Sequence, residues 1–161
     1  MKFFIYGGLI LLSLVLQSTV FALLPFLKAS PDLIVVLVCL FSLLNGPVFG
    51  AKFGFVAGLA LDLLVGEMIG LNAITKGVIG ISVGFLCKRF YKENYFIPFI
   101  TVMLATVFDQ FLYLLGMLVF GLHVPWMVAI NQVILPLSIY NGIISILIYL
   151  RIYELNKGIS S

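Results

Sequence analysis

The stretch GPVFGAKFGFVAGLALDLLVGEMIG, Gly46 to Gly70, places a small residue at every fourth position with one exception: Gly46, Gly50, Gly54, Gly58, Asp62, Gly66, Gly70. In water such a helix would be weak, because each glycine costs about 1 kcal/mol relative to alanine. In a bilayer the spacing has a use. Association of helices there depends on close packing, which small residues four apart allow. Four residues turn through about 400°, so the stripe winds slowly around its helix and suits an angled crossing.

The surrounding composition fits that solvent. Hydrophobic residues are 63% of the 161-residue chain and charged residues 9%, against about 25% charged in ordinary soluble domains. The mean hydropathy is +1.28. An all-α integral membrane protein with a single polytopic domain over residues 1–161 is expected, with no soluble domain beside it. The N-terminal apolar run, Phe3 to Leu27, is longer than the 7–15 apolar residues of a signal peptide, so it reads as a retained span.

Six spans are expected, at about 3–27, 31–45, 48–65, 73–87, 96–120 and 127–150. Ser30-Pro31-Asp32 reads as a helix start, with a cap, a first-turn proline and an acid at the positive dipole end. The second span ends at Asn45-Gly46-Pro47. Its fifteen residues rise only about 22 Å, short of a 30 Å hydrocarbon core, so neighbours must shelter it. Pro136 should kink the last span. Basic residues set the orientation. With the N-terminus inside, Lys2, Lys52, Lys88, Arg89, Lys92, Arg151 and Lys157 fall on the cytoplasmic side and Lys28 alone outside. Both termini are therefore placed in the cytoplasm. The net charge of +3 follows from this topology and gives no indication of nucleic-acid binding.

Ionisable groups inside spans usually face the protein interior or a wet cavity. Lys52 is close enough to the inner end to snorkel. With spans three and four folded as a hairpin centred near Ile69, Asp62 and Lys76 come to equal depth and an ion pair between them is expected. Glu67 and Asn72 complete this polar cluster. It serves either to pin the hairpin or to hold a partner or ligand. Asp109, mid-way along the fifth span and followed by Gln110, is neutral and hydrogen-bonded, paired with a lysine, or part of a relay. Asp32 falls near the outer boundary, where an acid is readily solvated. Gln17, Ser18, Thr19, Asn131, Gln132, Tyr140 and Asn141 can hydrogen-bond between helices. Gly50, Gly54 and Gly58, with Gly80 and Gly84 on the fourth span, form a face for helix packing or for a partner.

Catalytic residues, cofactors and metal ligands are not expected. No Ser/His/Asp set, HExxH or Walker A loop occurs, each of which its chemistry requires at fixed spacing. His123 is the lone histidine, and Cys39 and Cys87 form no CxxC. Both thiols read as buried and free.

Taken together, Leu16-Gln17-Ser18-Thr19, Pro31-Asp32-Leu33, Asn45-Gly46-Pro47, Gly54-Phe55, Gly58, Asp62, Gly66, Gly70-Leu71-Asn72-Ala73, Lys76 and Tyr140-Asn141 resemble the bacterial rod-shape-determining MreD family over nearly the full length. The resemblance implies a non-enzymatic scaffold of the elongasome in the bacterial cytoplasmic membrane. It implies association with an MreC-like bitopic protein, and through it with MreB, RodA and a penicillin-binding transpeptidase in peptidoglycan synthesis. In architecture the family is similar to the six-span substrate-binding subunits of energy-coupling-factor transporters. The alternative is therefore a small-molecule-binding membrane subunit of a transporter.

Overall fold

The computed structural model describes residues 2–21, 30–65, 68–86, 96–122 and 125–159. Glu67, Cys87 and His123, with the basic loop Lys88–Lys92 and Lys28, lie outside them. The described residues form helices joined by turns. They are α1 (Lys2–Val15, continued by wide π-type turns over Leu16–Phe21), α2 (Leu33–Asn45), α3 (Pro47–Val65), α4 (Leu71–Leu86) and α5 (Phe96–Val119). A short α6 (Trp126–Val128) runs through a second π-type stretch, Ala129–Ile134, into α7 (Leu135–Ile159). Among the described residues, three helices are long and apolar enough to cross a membrane: Pro47–Val65, Phe96–Val119 and Trp126–Arg151. Ile5–Thr19, Leu33–Asn45 and Leu71–Leu86 are shorter apolar helices. The chain is an all-α, multi-pass membrane protein.

The short α2 is the centre of the molecule. Ile34, Val35, Val36, Val38, Cys39 and Leu40 are wholly buried, and α1, α3, α4, α5 and α7 all pack against it. Its sequence is apolar on every side, which is how a helix without a solvent face reads. Its N-cap is Asp32, whose carboxylate accepts from the Val35 amide at 3.1 Å. The cap was expected two residues earlier, at Ser30. The carboxylate reaches the first free amides of the helix, and Pro31 stands outside the helix. At the other end Gly46 takes φ +87°, a conformation that glycine alone adopts cheaply, and the chain reverses directly into α3. There Tyr6, Phe41, Phe49 and Phe53 pack ring to ring, with centroids 4.9–6.2 Å apart. Such contacts contribute about 0.5–1.5 kcal/mol per pair beyond burial.

The closest helix pair is α3 with α4, and the glycine face lies between them. A Cβ at Gly50 would meet Ser42 and the Gly80 carbonyl, one at Gly54 the Lys76 carbonyl, and one at Gly58 the Asn72 carbonyl. From the other side, Gly80 meets Gly50 and Gly84 meets Pro47. All these approaches are under 3.0 Å. The five glycines pack within the hairpin, each against backbone of the facing segment.

These facing pairs set the register. Gly54 opposite Lys76 and Gly58 opposite Asn72 centre the hairpin near residue 65, not Ile69. The end of α3 extends past the start of α4, and the connection runs back to it. Asp62 is therefore level with the first residues of α4, not with Lys76.

Just before Pro136, where a kink was expected, the helix widens into π-type turns. Proline offers no N–H and its ring crowds the carbonyl four residues earlier, here Gln132 in the π-type stretch just before it. Asn131 and Gln132 are exposed, and the Ser18 and Thr19 hydroxyls donate back to the Val15 carbonyl. None of these four forms the interhelical bond expected of it.

Candidate functional site: a buried ionic centre joining four helices

Asp62 projects over the N-terminus of α4, where backbone amides lack intrahelical acceptors. Its Oδ2 accepts from the Gly70 amide at 2.9 Å and the Ala73 amide at 3.1 Å. Its Oδ1 accepts from the Asn72 amide at 3.1 Å and from Asn72 Nδ2 at 2.9 Å. The carboxylate is 2% exposed and satisfied by these four donors, with the positive end of the helix dipole beneath it. Gly70, at φ +101°, makes the bend that brings its amide into this set. Asp62 is thus bound to backbone, and the direct Asp62–Lys76 pair is not formed. Asn72 links the two groups: its amide donates to Asp62 and its Oδ1 accepts from Lys76 Nζ at 3.0 Å.

Replacing Asp62 with alanine strands three amides, that of Ala73 buried and those of Gly70 and Asn72 partly buried. The expected loss is about 2–4 kcal/mol, read as a lower midpoint of thermal unfolding in detergent. Asp62→Asn, which keeps an acceptor oxygen, should recover part of it.

Lys76 turns inward from α4 and is 1% exposed. Its ammonium lies 3.2 Å from Asp32 Oδ2 and 3.2 Å from Asp109 Oδ2. Together with Asn72 it has an acceptor for each of its three protons. Asp109 is the lysine-paired acid that the sequence left open. Asp32, expected at a solvated boundary, is instead a member of the buried centre, 15% exposed. The shortness of α2 explains the difference. Measured along α5, Asp109 is ten residues, about 15 Å, below the Val119 end. The α2 helix begins at this level, deep in the bundle.

Further groups hold Asp32 in place. Its backbone amide donates to Asn141 Oδ1 on α7 at 2.9 Å. Asn141 Nδ2 donates to Thr106 Oγ1 on α5 at 3.1 Å. Gln17 Nε2 donates to Asp32 Oδ1 at 3.3 Å. One polar centre thus ties α2, α4, α5 and α7 together, with the α1 extension at its edge. Asp109 Oδ1 is buried near the Thr75 hydroxyl, which lies 3.3 Å from the Asn72 carbonyl.

Above Asp32, toward the Val119 end, opens a cleft of about 330 Å3 lined by Gln17, Ser30, Asp32, Gln110, Val133 and Leu137. Among the described residues there is no cluster of three His, Cys, Asp or Glu side chains able to hold a metal ion.

The sequence model of the family described as rod shape-determining protein MreD matches residues 1–159. No curated protein and no solved structure matches the chain. The family match takes in every residue of the ionic centre, the glycine hairpin and the enclosed α2. The chain therefore belongs to the MreD family, whose members are non-enzymatic membrane components of the rod-shape and cell-wall elongation machinery.

Proposed function

We propose that this chain is a six-span scaffold of the bacterial cytoplasmic membrane, with both termini inside, that receives the transmembrane helix of an MreC-like bitopic partner between α4 and α5. Through that partner it supports MreB, RodA and a penicillin-binding transpeptidase in side-wall peptidoglycan synthesis. The topology rests on the bias of basic residues toward one side of the chain's six apolar segments.

The observation that carries the partner site is a groove. Between α4 and α5 lies an apolar furrow of about 710 Å3, larger than the one of about 600 Å3 between the outer faces of α3 and α4. Ile79, Val83 and Leu86 form one wall and Ile100, Leu104 and Phe108 the other, with Ser82 among them. In lipid, apolar surface alone does not drive helices together; shape and a few hydrogen-bonding groups do. The furrow offers its shape and the Ser82 hydroxyl to a single helix.

Leu104, 61% exposed, is the site to test. Leu104→Trp should fill the groove and lower co-purification of the partner at least about tenfold, the equivalent of 1.4 kcal/mol, while the melting temperature stays unchanged. Wild-type recovery of the complex would place the partner on another face.

A further inference from the structure

The cleft over Asp32 belongs neither to the α4–α5 groove nor to the glycine hairpin. We propose that it is a binding site for a primary ammonium group, carried by a small soluble amine or by the ethanolamine headgroup of a lipid. The inference does not depend on where the partner helix binds.

Charge is the first reason. The centre holds the carboxylates of Asp32 and Asp109 and the single ammonium of Lys76. With both acids ionised, the formal charge of these three groups is −1, in a setting where uncompensated charge is costly. Lys76 and Asp109 are closed off, each 1% exposed, and Asp32 is the member that reaches the cleft. A cation in the cleft therefore meets the excess charge through Asp32.

The lining selects the kind of cation. Gln17, Ser30 and Gln110 supply neutral oxygen acceptors beside the carboxylate. Gln17 uses its amide nitrogen on Asp32, which leaves its carbonyl oxygen to accept. An ammonium brings three donors and can bond to three such oxygens. A quaternary ammonium has no N–H, and among the described residues the lining includes no aromatic ring to form a cation–π cage.

The backbone points to the same place. Both π-type stretches of the described chain contribute to the cleft, Leu16–Phe21 through Gln17 and Ala129–Ile134 through Val133. Such stretches interrupt regular helix bonding and recur at functional sites.

The test uses the purified full-length protein in a neutral detergent. Ethanolammonium chloride and tetramethylammonium chloride are titrated separately at equal concentrations while the thermal unfolding midpoint is followed. A saturable rise with ethanolammonium alone is expected. Gln110→Leu, which leaves the ion pairs intact, should raise the half-saturating concentration about tenfold, as for loss of one hydrogen bond to a charged group. For the lipid source, protein is extracted from vesicles of phosphatidylethanolamine and phosphatidylglycerol and weighed intact by mass spectrometry. Retained phosphatidylethanolamine that soluble ethanolammonium displaces identifies the headgroup as the ligand. Equal responses to the two cations with no retained phosphatidylethanolamine overturn the proposal. So does a Gln110→Leu variant that behaves as wild type in both measurements.

Discussion

Lys76→Met is expected to leave a chain that inserts but does not hold its fold. The substitution keeps the length and removes the charge, so Asp32 and Asp109 face each other without the ammonium that lies 3.2 Å from both. Breaking a buried pair by removing one partner costs about 3–5 kcal/mol, a large part of the stability of a domain this size. Loss of monodisperse protein and a strongly lowered midpoint of thermal unfolding would show it. Adding Asp109→Leu should recover part of the loss. Asp32 would remain bonded to the Val35 amide and Gln17, whereas the buried Asp109 carboxylate has no comparable set of donors. Side chains in one network are non-additive by about 0.5–3 kcal/mol. Strictly additive losses in the double variant would show that the three groups do not act as a unit.

The other large effect is expected from Gly54→Leu. A Cβ there falls against the Lys76 carbonyl, so the clash is with backbone and no rotamer relieves it. The two helices must move apart, which disturbs Gly50 and Gly58 as well as the position of Lys76. A loss of more than about 4 kcal/mol is expected, seen as aggregation on extraction and rapid proteolysis. Gly77→Ala supplies the contrast. Its Cβ meets nothing closer than 3.8 Å, and alanine is favoured over glycine in a helix by about 1 kcal/mol. Equal tolerance of both changes would show that the hairpin is not closed by its glycines.

Much of this architecture is legible in the sequence because lipid constrains the chain severely. Apolar length marks the helices, and fourth-position glycines have few uses other than close approach. The register of the hairpin is not legible in the same way. Placing its centre at Ile69 assumes a symmetric turn, and the asymmetry arises because Asp62 binds the amides of residues 70, 72 and 73. Backbone donors have no residue type to announce them, so a lysine looked like the natural partner. Asp32 was misplaced for a related reason. Its position next to Pro31 reads as a boundary, but the short α2 begins deep inside the bundle. Its fifteen-residue span was the available clue. Asn141 and Thr106 could not be matched beforehand, since they lie 35 residues apart and meet only through helix packing.

The enclosure of α2 also has a consequence in time. Its walls include α5 and α7, which leave the ribosome long after it does. Until then its apolar flanks must rest against lipid or the insertion machinery, and the Asp32 carboxylate has neither Lys76 nor Asn141 beside it. The centre of this protein is thus synthesised before most of the helices that enclose it and is among the last parts to be completed. A chain stopped before α7 would have its earlier membrane helices but would lack the Asn141 bonds that close its polar centre.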